Sequence, residues 1–330
     1  MAGLGAILGA LWRAQRRDQK SFESIASNNF FIITAFFLRQ AGTFIYLILG
    51  LVVLFPLSTD PLRKIPRSRL ALWPLEDGQR RLLRLLSPWV NPVTWLIAGL
   101  AIWMARGAVS AGLWAVIAGV IAVGFVVSEI PAPAHGMLRR VPHFPGMLNH
   151  LIRKNLREML ATLDFYCALL LSGAALLFRL FGRSLPAEAV APLTILVVLA
   201  LSSFAQCLFG LDGDGGLGRY RLLPLSGWQI LAAKDAAFLL VAVPLTLPLA
   251  PLSGLSASLV ALALGHGPSV TEYRAQTRWR FSSGASVIYG FAQAALMAMA
   301  AINDQRVALP LALVVCAASL FYYGRRFAEG

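Results

Sequence analysis

Long apolar runs dominate this sequence and restrict what it can fold into. Of its residues, 58% are hydrophobic and only 13% are charged, whereas a soluble domain averages about 25% charged residues. The apolar residues gather in stretches that can cross a bilayer as a helix, which takes about 20 residues. We therefore predict an all-α, polytopic membrane helical bundle with about eight clear transmembrane helices. They are expected at roughly 90–105, 109–127, 160–180, 190–210, 236–251, 253–266, 285–302 and 307–323.

The net charge of +14 is better explained by membrane topology than by nucleic-acid binding. With loops alternating between the two sides of a membrane, 24 of the 29 Lys and Arg residues fall on one side. Positive residues mark the cytoplasmic side of membrane proteins. The charge pattern therefore predicts a multi-pass protein of the cell membrane with a cytoplasmic C-terminus. Membrane lipids are expected partners, and nucleic acid is not.

The N-terminal part of the chain departs from a simple series of spans. Residues 4–20 place apolar side chains at helical spacing before a basic cluster, which predicts an interfacial helix, with a frayed basic tail as the alternative. Residues 28–57 are apolar but are interrupted by Arg39, and both flanks are basic. A re-entrant hairpin turning near Arg39 keeps both flanks cytoplasmic if protein surrounds it. After Pro74, residues 75–86 predict a short surface helix along the membrane.

Two short segments resemble each other, and each lies on the basic side of a pair of apolar runs. Residues 69–83, the first cassette, align without gaps with the start of residues 219–235, the second cassette, and five of fifteen aligned positions are identical. Because both cassettes fall on the same side, the similarity indicates a parallel repeat over 58–159 and 211–284 within one transmembrane domain of residues 1–330.

The second cassette has the properties of a docking element. Pro224 ends an extended approach, Ser226 can cap the following turn, and Ile230 and Leu231 offer an apolar knob. A small helix packed at the base of two spans can transmit force, because a packed helix moves as a body. The candidate contacts in this cassette are Arg219, Arg221, Pro224, Leu225, Ser226, Gln229, Ile230, Leu231 and Lys234. Those in the first cassette are Arg69, Pro74, Leu75 and Gln79.

The sequence lacks the motifs of several common chemistries. No Gly-x-x-x-x-Gly-Lys-Ser/Thr loop occurs, so no nucleotide-binding domain of that type is expected. The glycine-rich stretch 212–218 lacks the ligands of a calcium loop and predicts a flexible turn. The histidines show no metal-ligand spacing and are expected in surface loops; they are His135, His143, His150 and His266. No catalytic residue, cofactor or metal site is predicted.

Polar residues within apolar runs raise a functional question, because they are costly in a membrane. The candidates are Arg39, Asp164, Gln206 and Gln293. For the last three, interhelical hydrogen bonds and substrate contacts are both open. Arg39 is expected to extend to the membrane surface or to mark the hairpin turn.

The second cassette resembles the loop that precedes a span in the membrane subunits of ABC-2-type ABC exporters. The shared form is Leu-Pro-Leu-Ser followed by Ile-Leu and Lys, met here by Leu223, Pro224, Leu225, Ser226, Ile230, Leu231 and Lys234. The approach from Phe209 through an Asp-Gly pair is also similar to members of that family. The resemblance implies a cytoplasmic coupling helix that fits a groove on a separate ATPase, an N-terminal interfacial helix and a dimeric assembly.

Two departures from the family pattern affect this interpretation. Six spans per subunit is the usual plan, and a second cassette is unusual. In the first cassette, Glu76 stands at the position of Ser226, and Arg84, the residue directly after this cassette, stands at that of Lys234. Whether both cassettes contact an ATPase therefore stays open.

These observations together predict a transport permease that is not itself an enzyme. ATP hydrolysis is expected in an ABC ATPase subunit acting in trans, and the permease is expected to form a homodimer or pseudo-dimer. The alternatives are a structural or regulatory membrane subunit and a membrane-embedded lipid-modifying enzyme. The enzyme is the weaker alternative, because the acidic residues and histidines are scattered along the chain.

Overall fold

The structure is a computed structural model that describes two compact units. In the first unit the described residues are 2–16, 61–65, 70, 72–73, 75–90 and 95. In the second they are 146, 148–160, 162–180, 185, 187–206, 209–212, 216–271 and 287–329. The predicted hairpin at 28–57 and the predicted spans at 90–105 and 109–127 lie outside the described residues, apart from Val90 and Trp95.

Every regular element within these ranges is helical. Ten α-helices are present among the described residues: α1 (Ala2–Arg16), α2 (Asp77–Leu86), α3 (Asn149–Met159), α4 (Leu163–Leu180), α5 (Ala187–Gln206), α6 (Gly216–Arg221), α7 (Gly227–Thr246), α8 (Pro251–Thr271), α9 (Val287–Ile302) and α10 (Gln305–Glu329). Short 3-10 helices lie at Pro61–Lys64, Ser87–Val90 and Gly210–Asp212. The all-α prediction is therefore confirmed for the described residues.

The first unit is built on two amphipathic helices, α1 and α2. Their apolar faces meet in a small core in which Leu11, Leu62 and Leu83 are buried. Partly buried side chains packed against this core are Leu4, Ile7, Leu8, Ile65, Leu70, Trp73, Leu75 and Val90. The helical spacing of leucines in both segments produces this packing, because positions three and four apart share one face.

The second unit is a bundle in which α8 packs against α5, α7, α9 and α10. The helix α3 packs on α7, and α4 packs on α5. Small residues allow close approach of the helices: a Cβ placed on Gly265 of α8 would collide with the backbone of Ala205 in α5. Such contacts between small residues are typical of helices that associate in membranes.

The described part of the chain contains fewer candidate membrane-crossing helices than predicted. Among the described residues, three helical segments rather than eight are long and apolar enough to cross a membrane: Ala189–Gln206, Gly227–Thr246 and Gln305–Phe327. Shorter apolar segments lie at Asp164–Gly173 and Ile288–Ile302. In α8, glycine, serine and histidine residues interrupt the apolar run.

Two predicted boundaries around the second cassette are also wrong. The span expected to begin at residue 236 begins at Gly227, and α8 continues beyond the predicted loop boundary at 267 to Thr271. Apolar periodicity missed the early start because the cassette's own residues form the first turns of α7. The second cassette is therefore continuous with a helix of membrane-spanning length.

Candidate functional site: the second cassette and its buried anchor

The second cassette presents an exposed turn between α6 and α7. Leu222 is 84% exposed, and Leu223 and Pro224 are also exposed. Backbone hydrogen bonds fix the turn: the Leu223 N–H donates to the Tyr220 carbonyl at 3.1 Å, and the Leu225 N–H donates to the Leu223 carbonyl at 2.8 Å. This tip therefore combines an apolar surface with a defined backbone.

The start of α7 agrees with the capping expected from the sequence. Ser226 is the N-cap residue with an extended backbone, φ −70° and ψ 150°. Its N–H donates to the Gln229 side-chain oxygen at 3.0 Å. This is the reciprocal half of a capping box, in which the third helical residue bonds back to the N-cap backbone. The exposed tip thus passes directly into an ordered helix.

The first cassette repeats this backbone arrangement. Its N-cap residue, Glu76, has φ −66° and ψ 155°. The Trp73 N–H donates to the Leu70 carbonyl at 3.2 Å, and the Leu75 N–H donates to the Trp73 carbonyl at 2.8 Å. Both bonds fall at positions aligned with those of the second cassette, and α2 begins where α7 begins in the alignment. The two cassettes therefore share the backbone conformation of this turn, and the longer repeat stays a prediction.

Asp212 is the centre of a buried polar cluster beneath the second cassette. Its side chain accepts hydrogen bonds from Lys234 Nζ at 3.0 Å, from the Tyr220 hydroxyl at 3.0 Å and from Lys154 Nζ. Its backbone carbonyl accepts a bond from the Arg219 guanidinium at 2.5 Å. Asp212 therefore joins the neighbouring helices α6 and α7 to α3, which lies much earlier in the sequence.

Because this cluster is buried, the loss of one charged member costs more stability than in a surface ion pair. The side chains of Lys234 and Asp212 are only 2% and 3% exposed. The Lys234 ammonium lies 4.5 Å from the ring centre of Phe209 and 5.1 Å from that of Tyr220. Removing one member of such a pair leaves a buried charge without compensation, which costs several kcal/mol. We call this group the Asp212 anchor, formed by Lys154, Phe209, Asp212, Tyr220 and Lys234.

The charges in the anchor shift the pKa values of its members outside the spans. Burial alone would raise the pKa of Asp212, but the Lys234 charge and the hydrogen bonds from both lysines lower it below its usual value. Burial would lower the pKa of Lys154, but its bonds to Asp212 and Tyr220 raise it above its usual value.

The two shifts stabilise the fold over the same pH range. The Asp212 contribution is present above the unfolded pKa, about 4, and is lost as the pH falls through the folded pKa. The Lys154 contribution is present below about 10.4 and is lost as the pH rises through the folded pKa. Both contributions are thus present at neutral pH.

The end of α10 holds the cassette from the other side. Phe327 is 2% exposed and stacks on Phe209, with ring centres 5.5 Å apart. A Cβ on Gly227 would collide with the carbonyl oxygen of Gly324, and one on Gly324 would lie 2.7 Å from the Cα of Trp228. Glycine is required at both positions because the helices α7 and α10 touch through their backbones.

A second polar network includes Asp235, the residue that follows Lys234 in α7. His266 Nε2 lies 2.9 Å from Asp235 Oδ2, and His266 Nδ1 lies 3.0 Å from the Ser319 hydroxyl. The Ser319 hydroxyl donates to the Ala263 carbonyl at 2.6 Å. Its single proton is therefore not directed at the histidine, and the order of contacts differs from a nucleophilic triad, in which the histidine accepts the serine proton. The network ties α7 to α8 and α10.

The structure divides the predicted docking residues into two groups. Arg219, Arg221, Pro224 and Ser226 are exposed, and Leu225 and Gln229 are half-buried. Ile230, Leu231 and Lys234 are at most 2% exposed. The predicted apolar knob at Ile230 and Leu231 is therefore wrong for this conformation, because both side chains pack inside the bundle. Leu222, which the sequence reasoning missed, is the exposed apolar residue at the tip.

The remaining candidates fall in different places. Arg69, Pro74 and Arg39 lie outside the described residues. Leu75 and Gln79 are half-buried in the first unit, and Asp164 is buried in α4.

The two glutamines that were predicted to lie within spans contact each other. Gln206 donates its side-chain N–H to the Gln293 side-chain oxygen, and the Gln293 amide donates to the Ala261 carbonyl at 3.0 Å. An interhelical hydrogen bond, one of the two open alternatives, is therefore present at these residues.

Two structural roles were absent from the sequence interpretation. Asp212 was expected in a flexible turn, and His266 was expected at the surface; both are instead buried members of polar networks. Within the described parts of the chain, no three His, Cys, Asp or Glu side chains gather to hold a metal ion.

Comparison with known proteins adds no relative from which a role could be transferred. The chain matches no protein-family model, no curated protein and no solved structure.

Proposed function

We propose that this chain is the transmembrane permease subunit of an ABC exporter, and that its second cassette is the coupling element for a separate ATPase. The observation that carries the proposal is the continuity between an exposed tip and a helix long enough to cross a membrane. Leu222 is 84% exposed, and five residues later α7 begins its 20-residue course.

The anchor supports a mechanical role for this element. Lys234 in α7 is bound to Asp212, and Asp212 is bound to Tyr220 in α6. A force applied at the tip between α6 and α7 passes into both helices, because the tip cannot move independently of its base. From α7, the Asp235–His266 contact carries the movement to α8.

The tip also has the composition of an interaction surface. Two exposed leucines, Leu222 and Leu223, lie beside the exposed arginines Arg219 and Arg221. Arginine is enriched among the residues that dominate protein–protein binding energies, and the two leucines add apolar surface whose burial on binding is favourable. The resemblance of this loop to ABC-2-type permeases supports a nucleotide-hydrolysing partner of the ABC class, because the chain has no phosphate-binding loop of its own.

Co-purification with paired variants tests this function. The tagged full chain, extracted gently from its native membranes, is expected to retain a Walker-type ATPase that mass spectrometry identifies by its phosphate-binding loop. Leu222→Glu is expected to weaken that association by about 2 kcal/mol, as for an interface hot spot. The matched control is Leu72→Glu, at the aligned position of the first cassette, where the side chain is 82% exposed.

The control should leave the association unchanged. Retention of the ATPase by Leu222→Glu, or absence of any such ATPase from the unmodified complex, would contradict the proposal.

A further inference from the structure

The helix α2 of the first unit has two apolar faces, and among the described residues only one of them packs into the core of the unit. Leu83 is 2% exposed and packs with Leu11 and Leu62. On another side of the helix, Leu82, Leu85 and Leu86 are 44%, 49% and 38% exposed. These three residues have the spacing i, i+3, i+4, so they form one continuous patch.

The aligned positions of the second cassette show that this patch is unusual. The aligned positions in α7 hold Ala232, Asp235 and Ala236, which lie within the second unit as half-buried or buried residues. Unlike α7, α2 carries three large apolar side chains at these positions and leaves them exposed. Because exposed clusters of leucine are unfavourable in water, the patch requires an apolar surface to cover it.

Charge indicates the nature of that surface. Arg81 and Arg84 are exposed beside the leucines, whereas the acidic residues Glu76 and Asp77 lie at the start of the helix, away from Leu85 and Leu86. Arginine next to an apolar helical face is characteristic of helices that lie in the interface of an anionic membrane. A surface with negative charge outside and hydrocarbon beneath it complements both features of the patch.

Two tryptophans on the C-terminal side of α2, Trp89 and Trp95, favour the same environment. The rings of Trp89 and Trp95 lie 5.6 Å apart, and Trp95 is 60% exposed. The Trp95 indole N–H donates to the Trp89 carbonyl at 2.8 Å. Tryptophan is enriched at the headgroup level of membranes, where its ring contacts both polar and apolar groups.

We propose that the outer face of α2, formed by Arg81, Leu82, Arg84, Leu85 and Leu86, binds an anionic phospholipid surface. The leucines enter the outer edge of the hydrocarbon and the arginines contact the phosphate groups. The first cassette is thereby held on lipid, and it differs in this respect from the second cassette, whose tip is directed at a protein. This inference does not depend on the identity of the ATPase.

A fluorescent probe on the full chain tests the contact. In a chain whose native cysteines are replaced by alanine, Leu85→Cys carries an environment-sensitive nitrobenzoxadiazole label after reconstitution into phosphatidylcholine vesicles with phosphatidylglycerol. The expected result is apolar-type emission, with stronger quenching by brominated phosphatidylglycerol than by the same fraction of brominated phosphatidylcholine. Leu222→Cys in the second cassette is the matched control and should show aqueous emission.

An arginine variant separates anionic lipid from any lipid. Arg81→Gln should lower the preference for phosphatidylglycerol by about fivefold, as expected for loss of one basic residue near the membrane surface, while Arg81→Lys should keep it. Native mass spectrometry of the chain with its cysteines intact should show the same loss of retained phosphatidylglycerol. This second measurement does not depend on the cysteine replacements.

Three outcomes would overturn the proposal. Aqueous emission at position 85 would show that no membrane covers the patch. A shielded probe that neither lipid quenches would make a protein segment the occupant. Equal quenching by both lipids, unchanged by Arg81→Gln, would remove the anionic selectivity.

Discussion

The two cassettes share one backbone conformation, but the side chains that pack beneath them differ in chemistry. Both begin a helix at the aligned residue, and both expose a leucine at the tip, Leu72 or Leu222. Beneath the first tip lies a core of leucines. The ungapped alignment places Tyr220 of the polar anchor opposite Leu70 of that core, and the same register continued upstream of the cassettes places Asp212 opposite Leu62.

This difference shows that the same turn can be supported either by an apolar core or by a buried polar cluster. An apolar core stabilises by burial without fixed directions, whereas an ion-pair cluster requires particular donors and acceptors in particular places. The second cassette therefore has the base better suited to holding one geometry under load. The first has a base suited to a helix that lies on a surface. The following predictions test this contrast in order of decreasing expected effect.

Replacing Asp212 with the residue of the first unit should be the most damaging exchange. Asp212→Leu leaves Lys234 buried without its carboxylate, and we expect a loss of about 3–5 kcal/mol in the free energy of unfolding. Asp212→Leu with Lys234→Met removes both charges and should recover most of that loss. Thermal unfolding of the purified chain in detergent measures the difference. Equal stability losses in the single and double variants would show that no ion pair holds this base.

Truncating a leucine in the core should lower the stability of the first unit, because it removes buried apolar contacts rather than a charge. Leu83→Ala removes a side chain that is 2% exposed, and we expect a cost of about 2–5 kcal/mol. Limited trypsin digestion should then cleave near Arg13 in α1 more rapidly. Leu82→Ala, one residue away on the exposed face, is the control and should leave the digestion rate close to that of the parent chain.

A valine at the start of each cassette helix should distinguish their surroundings. Gly227→Val places methyl groups against Gly324, and we expect a loss of about 1–3 kcal/mol from overpacking. Asp77 occupies the aligned position and is exposed. Asp77→Val should therefore change stability by no more than about 0.5 kcal/mol. Thermal unfolding measures both variants. Similar effects at the two positions would mean that the contact between α7 and α10 is absent.

The smallest expected effect concerns the helix cap. Gln229→Leu removes the bond from the Ser226 N–H and should cost about 1 kcal/mol, as for other N-terminal caps. Among the described residues no counterpart bond joins Gln79 to the Glu76 backbone, so Gln79→Leu should cost less. Hydrogen exchange at the first turns of α7 and α2 measures the local opening. A larger increase in exchange from Gln79→Leu in α2 than from Gln229→Leu in α7 would contradict the assignment of the cap to α7.

Local patterns predicted helices better than they predicted burial. The amphipathic spacing in residues 4–20 and 75–86 was sufficient to predict the helices α1 and α2. The capping expected of Ser226 agrees with its N-cap position in α7, although the span itself was predicted to begin only at residue 236. Each of these signals lies within a few residues, where helix geometry alone decides the outcome.

The anchor could not be predicted because its partners are far apart in sequence. Asp212 meets Lys154 58 residues earlier and Lys234 22 residues later. His266 meets Ser319 at a separation of 53 residues. The glycines that follow Asp212 indicate only that the local backbone can adopt many conformations. Contacts with residues distant in sequence hold the Asp212 side chain in place. The burial of Ile230 and Leu231 follows from the same bundle packing.

Photo-crosslinking from the two cassette tips tests the central claim most directly. The full chain carries a benzophenone amino acid at position 222 or, in a parallel sample, at position 72, and is irradiated in its native membrane. The account predicts a crosslink from position 222 to an ATPase with a phosphate-binding loop, and none to that protein from position 72. A crosslink to that ATPase from position 72 alone, or from neither position, would contradict the assignment of the second cassette as the coupling element.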